Sequence, residues 1–189
     1  MIRLLLCAGF ATLIAVTASA QGEANSLKGV PPGERVVFGG GMGLGFGSIQ
    51  DFVSVSPTVG YMLTRKLVAG VGVQYRYTSY KVVKPSVKLH DYGVSPFVRF
   101  MLFQPIFLHA EYEYLNYEHA LVHSSRVETS RQSFDSVLAG GGIIQPLGNR
   151  LAFYAMALYN FSYKDDPGFS AYDSPLVVRA GISIGGFGL

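Results

Sequence analysis

The segment VVFGGGMGLGFG, residues 36–47, alternates bare backbone with large apolar side chains. Glycine occupies every odd position from 39 to 47, whereas Phe38, Met42, Leu44 and Phe46 occupy even positions. A period of two is that of a β-strand, in which successive side chains point to opposite faces of the sheet. The segment therefore predicts a strand with one apolar face and one face where side chains have little room.

The rest of the chain repeats this pattern. VSPTVGYML (55–63) returns as VSPFVRFML (94–102), a third Ser-Pro pair opens SPLVVRAGI (174–182), and DSVLAGGGII (135–144) is a degenerate copy. Four units, each long enough for one hairpin, predict eight antiparallel strands. The predicted strands are 35–47, 53–63, 67–78, 90–102, 106–117, 133–144, 151–163 and 174–186.

Short and long connections alternate between these strands. TRK, FQP and QPLGNR are short, whereas the joins near 79–89, 118–132 and 164–173 are longer. Short turns at one end and long loops at the other are typical of an outer-membrane barrel whose termini lie in the periplasm. We therefore predict an all-β fold, an eight-stranded antiparallel up-and-down transmembrane barrel over residues 35–189.

The N-terminal region differs in composition from the barrel. Residues 1–20 combine Arg3, an apolar run and Ala18-Ser19-Ala20, which predicts a cleaved signal peptide and export. Residues 21–34 are polar and contain Pro31-Pro32-Gly33, so we expect a flexible periplasmic lead.

Composition excludes several classes of function. Because Cys7 is the only cysteine and lies in the predicted signal peptide, disulfide scaffolds, thiolate zinc sites and cysteine nucleophiles are excluded from the mature chain. No basic block suggests nucleic acid. Hydrophobic residues make up 49% and charged residues 14% of the chain, yet no apolar run long enough for a helical span follows residue 20. An apolar barrel surface in lipid explains this combination.

Aromatic residues on the apolar face cluster near the predicted strand ends. Such rings are typical of the girdles that sit at the two membrane interfaces. The girdle residues are Tyr61, Tyr75, Tyr77, Phe100, Tyr112, Tyr114, Tyr159, Phe161 and Tyr163, with Phe46 at the same level.

The opposite face carries ionisable groups, which would be costly in a soluble apolar core and suit a narrow polar lumen. The predicted lumen network consists of Arg76, Arg99, His109, Glu111, Glu113, Asp135 and Arg179, beside Gln74, Asp91 and Asn160. A turn near residue 104 would place Arg99 opposite His109 and diagonal to Glu111. The network is either an ionic plug or a polar pathway, and we favour the plug because side chains fill an eight-stranded interior.

The chain resembles the small eight-stranded OmpA-like and OmpX-like outer-membrane barrels through its signal peptide, hairpin repeat and girdles. The resemblance implies a monomer in contact with outer-membrane lipid, lipopolysaccharide and the outer-membrane assembly machinery. The family usually ends on an aromatic residue, whereas this chain ends GGFGL with Phe187 two residues short.

Two further groups of residues suggest chemistry. His123-Ser124-Ser125 with Glu128 is similar to the His-x-Ser pair of lipid A deacylases, which are also outer-membrane barrels. Lys81, Lys84 and Lys88 would contact lipopolysaccharide phosphates, or are simply solvated. The histidines show no ligand spacing that predicts a metal, and we expect no cofactor.

The sequence thus favours a non-enzymatic outer-membrane protein of a Gram-negative bacterium. Its role would be structural, or would lie in binding an unknown extracellular ligand through its loops. The alternatives are a membrane-embedded lipid-modifying enzyme, a narrow solute pore and a soluble periplasmic ligand-binding barrel.

Overall fold

The computed structural model describes residues 26–46, 50–80, 87–123, 126–164, 172 and 174–185. Most of these residues form eight strands: β1 (Val36–Phe46), β2 (Gln50–Met62), β3 (Leu67–Tyr80), β4 (Val87–Phe103), β5 (Ile106–His123), β6 (Arg126–Pro146), β7 (Leu151–Asn160) and β8 (Leu176–Ile184). Each strand pairs antiparallel with its neighbour in sequence, and β1 also pairs with β8. The predicted closed barrel of eight antiparallel strands is confirmed. No helix in the described part of the chain is long and apolar enough to cross a membrane.

The alternation in β1 places large side chains outside and glycine inside. Phe38 and Met42 are 56% and 75% exposed on the outer surface, whereas Val37 is 7% exposed. On the inner face, a Cβ added at Gly41 would lie 2.7 Å from the backbone oxygen of Ala180 in β8. Glycine therefore allows β1 and β8 to approach closely where the barrel closes.

Among the described residues, the seam between β1 and β8 is the shortest strand pairing. It contains three register pairs, from Phe38 with Ile184 to Gly40 with Ile182, whereas β5 and β6 share eighteen pairs. Closure of the barrel therefore depends on few backbone hydrogen bonds and on the small residues that line the seam.

Strands β5 and β6 are longer than the sequence predicts. The connection predicted at 118–132 is wrong, because β5 continues to His123 and β6 begins at Arg126. The last register pair between β5 and β4 is Asn116 with Tyr92, and the last between β6 and β7 is Leu138 with Asn160. Both β5 and β6 continue beyond these pairs toward the loop end. The prediction failed because this part of the hairpin lies beyond the apolar band, where polar residues no longer alternate with apolar ones.

The turn end of the barrel is filled by apolar side chains. The inward-facing residues at this end are Val37, Met62, Val68, Met101, Phe107, Ile144 and Ala152. They form an apolar layer that separates the polar interior from this end of the barrel.

The segment before β1 packs against this layer. Leu27 is buried with the core residues, and Arg35 donates hydrogen bonds to the carbonyl oxygens of Leu27 and Val30 at 3.2 and 2.9 Å. Arg65, from the turn after β2, donates to the carbonyl oxygen of Ser26 at 3.0 Å. Residues 26–34 of the predicted flexible lead thus contact the turn end of the barrel. The predicted signal peptide and residues 21–25 lie outside the described residues.

Candidate functional site: the barrel interior

Arg179 on β8 is the centre of the charged cluster inside the barrel. Its Nη1 lies 2.8 Å from Glu111 Oε1, and its Nη2 donates to Glu113 Oε2 at 2.7 Å. Both carboxylates come from β5, where residues 111 and 113 share one face of the strand. One guanidinium thus joins two buried carboxylates on the opposite wall, which compensates their charge in a region of low dielectric.

His109 connects Glu111 to Arg99. The Nε–H group of Arg99 donates to His109 Nδ1 at 3.4 Å, and His109 Nε2 lies 3.1 Å from Glu111 Oε2. Because Nδ1 accepts, the ring hydrogen is on Nε2 and is donated to Glu111, which corresponds to a neutral imidazole. The strand register pairs Arg99 with His109, as the turn near residue 104 predicts.

Aromatic rings enclose the Arg99 guanidinium. Its Cζ atom lies 4.8 Å from the ring centroids of Phe107 and Tyr154 and 5.8 Å from that of Phe97. Ring faces attract a cation, and the attraction is stronger where water is excluded. Sequence reasoning missed these rings because it assigned aromatics to the outer girdle, although Tyr154 lies on the inner face of β7, next to the outward Phe153.

Polar residues continue from this cluster toward the loop end. Asp91 is buried, pairs in register with Arg76, and accepts a hydrogen bond from the backbone N–H of Glu118 at 3.0 Å. Asn160 is also buried, and its Nδ2 donates to Ser136 Oγ at 3.3 Å. The predicted lumen residues of β3, β4, β5 and β8 therefore lie in one continuous polar interior.

Tyr172, in the segment between β7 and β8, covers the charged cluster. Its hydroxyl donates to the Glu113 carboxylate at 2.8–2.9 Å and accepts from Arg179 Nη2 at 3.2 Å. Burial and the adjacent Glu113 carboxylate raise the pKa of the Tyr172 phenol, so the hydroxyl keeps its proton. No strand periodicity marks this residue, which is why the sequence did not reveal it.

Asp135 does not belong to the lumen network, so this prediction is wrong. It is exposed on the outer face of β6, where it accepts a hydrogen bond from the Tyr112 hydroxyl at 2.7 Å. Its neighbour Ser136 faces inward, as does Leu138. The charge of Asp135 predicts the inner face, but the residue lies near the loop end, where an outward carboxylate has polar partners.

The predicted girdle residues that belong to strands face the outside of the barrel, and Phe161 and Tyr163 lie just after the end of β7. Tyr61, Tyr75, Tyr112, Tyr114, Tyr159 and Phe161 are exposed, and Tyr77, Phe100 and Tyr163 are half-buried. Several of these tyrosines have polar partners at the loop end, such as Tyr114 with Ser133 at 2.9 Å and Tyr75 with His90 at 2.9 Å. The outer face is thus apolar in its middle, and at the loop end the tyrosine hydroxyl groups make it polar.

The remaining predicted sites fall largely outside the described residues or side chains. Lys88 is exposed at the loop end, whereas Lys81 and Lys84 are not described, so lipopolysaccharide contact stays a prediction. Ser124 and Ser125 are not described, and only the backbones of His123 and Glu128 are, in β5 and β6. Within the described residues, no group of three or more His, Cys, Asp or Glu side chains has an arrangement that could hold a metal ion.

Among solved structures, the fold is similar to that of the N-terminal β-barrel domain of Pseudomonas aeruginosa OprF. The two chains are 12% identical, with a TM-score of 0.43, and the match covers 79% of this chain and 96% of that one. No protein-family model matches the sequence, and the comparison with curated proteins gives no match. The closed barrel of eight antiparallel strands carries apolar side chains on its outside and charged side chains inside.

Proposed function

We propose that this protein is a non-enzymatic barrel of the Gram-negative outer membrane with a structural or surface-interaction role. The observation that carries the proposal is the inverted polarity of the barrel. Phe38, Met42 and Ile182 are exposed outside, whereas Arg99, Glu111 and Glu113 are buried inside. A soluble barrel would bury the first set and expose the second, so this polarity supports a lipid-facing surface.

A second feature supports a structural role rather than a pore. The turn end contains the apolar layer covered by Leu27, and the middle of the barrel contains the ion pairs of Arg179. Hydrated ions would have to displace both the apolar layer and the ion pairs of Arg179. We therefore infer a lumen without steady conductance.

A third feature supports interaction at the cell surface. Residues 117–123 and 126–132 pair with each other beyond the ends of the neighbouring ladders. At a rise of about 3.3 Å per residue, this two-stranded extension projects roughly 20 Å from the barrel. An extension of this length presents open strand edges to a partner.

The proposal is tested by expressing the full chain in a Gram-negative host and isolating outer membranes. We expect the protein to sediment with them, to change gel mobility only after boiling, and to give no steady current in planar bilayers. A matched variant that removes residues 119–130 should retain the heat-dependent mobility, since the barrel ladders do not include this region. A soluble periplasmic protein, or a large steady current from the intact chain, would overturn the proposal.

A further inference from the structure

The pairing of β1 with β8 ends within the apolar band of the barrel. Its last register pair toward the loop end is Gly40 with Ile182. Among the described residues, no register pair joins the rest of β1 (41–46) to the first part of β8 (176–181). Open strand edges are costly in lipid and are tolerated only where they line a cavity or are covered by protein. These two edges therefore need hydrogen-bonding groups other than those of a regular ladder.

The side chains beside this opening are unusually exposed. Met42 on β1 and Val178 on β8 are 75% and 72% exposed, the highest fractions among the large hydrophobic residues that the structure describes. The Arg179 side chain is 22% exposed, although those of its partners Glu111 and Glu113 are only 3% and 1% exposed. The wall of the barrel is therefore incomplete between β1 and β8 beyond their last register pair.

A cavity of about 210 Å³ lies behind this opening. Its lining includes Met42, Val178 and Ala180, which are on the outer face, and also Gly41 and Arg179, which are on the inner face. Because residues from both faces of the wall line one cavity, the cavity reaches the outer surface through the seam. Its volume equals that of roughly seven water molecules at about 30 Å³ each, which is enough for a molecule of about seven non-hydrogen atoms.

The charges around the cavity compensate each other. Arg179 forms ion pairs with Glu111 and Glu113, and Arg76 is paired in register with the buried Asp91. These three carboxylates balance the guanidinium groups that line the cavity, which are those of Arg76, Arg99 and Arg179. A charged ligand would add an uncompensated charge in a region of low dielectric, so the cavity favours an uncharged ligand.

The lining offers an uncharged ligand two kinds of contact. From β2, β3 and β4, Thr58, Gln74 and Ser95 contribute hydroxyl and amide groups, which both donate and accept hydrogen bonds. From β7 and β8, Met156 and Val177 contribute buried apolar side chains. A molecule with a polar head and a short alkyl chain matches this division.

We propose that the cavity binds a small uncharged amphiphile, an alcohol or amide of about seven non-hydrogen atoms, which enters from the lipid through the opening between β1 and β8. The polar head lies against Gln74 and Ser95, and the alkyl chain extends toward the lipid between Met42 and Val178. The site rests on the proposed membrane location but goes beyond the surface role, because it lies in the barrel wall and does not involve the extended hairpin.

The test is photolabelling of the full chain, folded in lipid vesicles, with two diazirine derivatives of hexanol. One derivative carries the diazirine next to the hydroxyl group, and the other carries it at the far end of the chain. We expect saturable labelling of Ser95 and Met156 by the first and of Met42 and Val178 by the second, as located by mass spectrometry. Excess hexanol should abolish this labelling. Hexanoate and hexylammonium have the same chain length but carry a charge, so they should compete roughly tenfold more weakly or worse.

A matched pair of variants separates binding in the cavity from partition into lipid. Val177→Phe fills the cavity without a change of charge and should abolish the labelling of Met156. Val137→Phe adds the same atoms on the outer face of β6, where Val137 is exposed, and should leave this labelling unchanged. Saturation and competition are measured on the wild-type chain, so the proposal stays testable if Val177→Phe fails to fold.

Three results would overturn the proposal. They are labelling of Ser95 and Met156 that is absent or does not saturate, equal labelling of Met156 in the two variants, and competition by either charged analogue as strong as that by hexanol. Labelling of Tyr172 instead of Met42 and Val178 by the far-end derivative would show entry from the loop end and contradict the lateral opening. Heat-dependent gel mobility tests the membrane barrel separately, so a chain that retains this mobility but is not labelled refutes the amphiphile site alone.

Discussion

At the scale of single residues, Arg179 has the largest electrostatic role because it compensates two buried carboxylates. Replacement by methionine keeps much of the side-chain volume but leaves Glu111 and Glu113 without this cation. We expect Arg179→Met to lower the free energy of unfolding by about 3–5 kcal/mol, the usual cost of breaking a buried ion pair. Urea titration of the barrel in micelles, followed by circular dichroism, measures this change.

The matched control for this prediction is Arg131→Met. Arg131 forms its ion pair with Glu118 at 3.4 Å, with its side chain 41% exposed. Exposed pairs contribute about 0–1 kcal/mol, so this variant should unfold near the wild-type urea concentration. Equal destabilisation by the two substitutions would contradict the assigned role of Arg179.

Gly41 provides a second prediction at this scale. Gly41→Ala places a methyl group 2.7 Å from the backbone oxygen of Ala180, so β1 and β8 must move apart at the short seam. We expect a barrel that folds less completely and unfolds at lower urea concentration. Gly148→Ala is the control, since a Cβ there has no heavy atom within 4 Å. If Gly41→Ala proves as stable as Gly148→Ala, the seam does not require glycine.

Sequence reasoning predicted some of the contacts inside the barrel residue by residue. It placed Arg99 opposite His109 because a tight turn fixes the register of a hairpin. Side-chain polarity as the sign of direction misses Tyr154 and misplaces Asp135, and Tyr172 is missed because it lies on no strand. Aromatic rings enclose a cation inside this barrel, and a carboxylate is acceptable outside it near the loop end, so polarity alone does not fix which way a side chain points.

At the scale of elements, the segment before β1 closes the turn end. Leu27→Ala removes a buried side chain from the apolar layer and should lower the free energy of unfolding by about 2 kcal/mol. This value is at the lower end for truncating a buried leucine, because the segment can shift to fill the space. Lys28→Ala, at an exposed neighbouring position, should cost almost nothing. Hydrogen exchange at residues 26–35 should be faster only in Leu27→Ala. Equal exchange rates in the two variants would show that Leu27 does not hold the segment in place.

The strands differ in how far the sequence predicts them. The bounds of every strand except β5 and β6 lie within three residues of the prediction, because apolar alternation marks the part that faces lipid. The extension of β5 and β6 could not be predicted from that signal. Outside the apolar band, backbone hydrogen bonds and polar side-chain pairs such as Arg131 with Glu118 maintain the ladder, and these leave no hydrophobic period in the sequence.

At the scale of the whole molecule, fold and polarity follow from one pattern. Alternation with a period of two, repeated over four hairpins, determines both the number of strands and the two faces. The pattern does not say which face meets lipid, and the girdle tyrosines and buried charges supply that information. The chemistry of the loops is not constrained by the barrel, so a partner cannot be read from the same pattern.

The measurement that tests the inverted polarity most directly uses tryptophan fluorescence, since the chain contains no tryptophan. Phe153 and Tyr154 are adjacent aromatic residues on β7, and they are 42% and 5% exposed, respectively. Phe153→Trp and Tyr154→Trp would each be folded into vesicles whose acyl chains carry bromine, which quenches indole on contact. We predict strong quenching for Phe153→Trp and little for Tyr154→Trp. Equal quenching, or stronger quenching at position 154, would contradict a barrel with an apolar exterior and a charged interior.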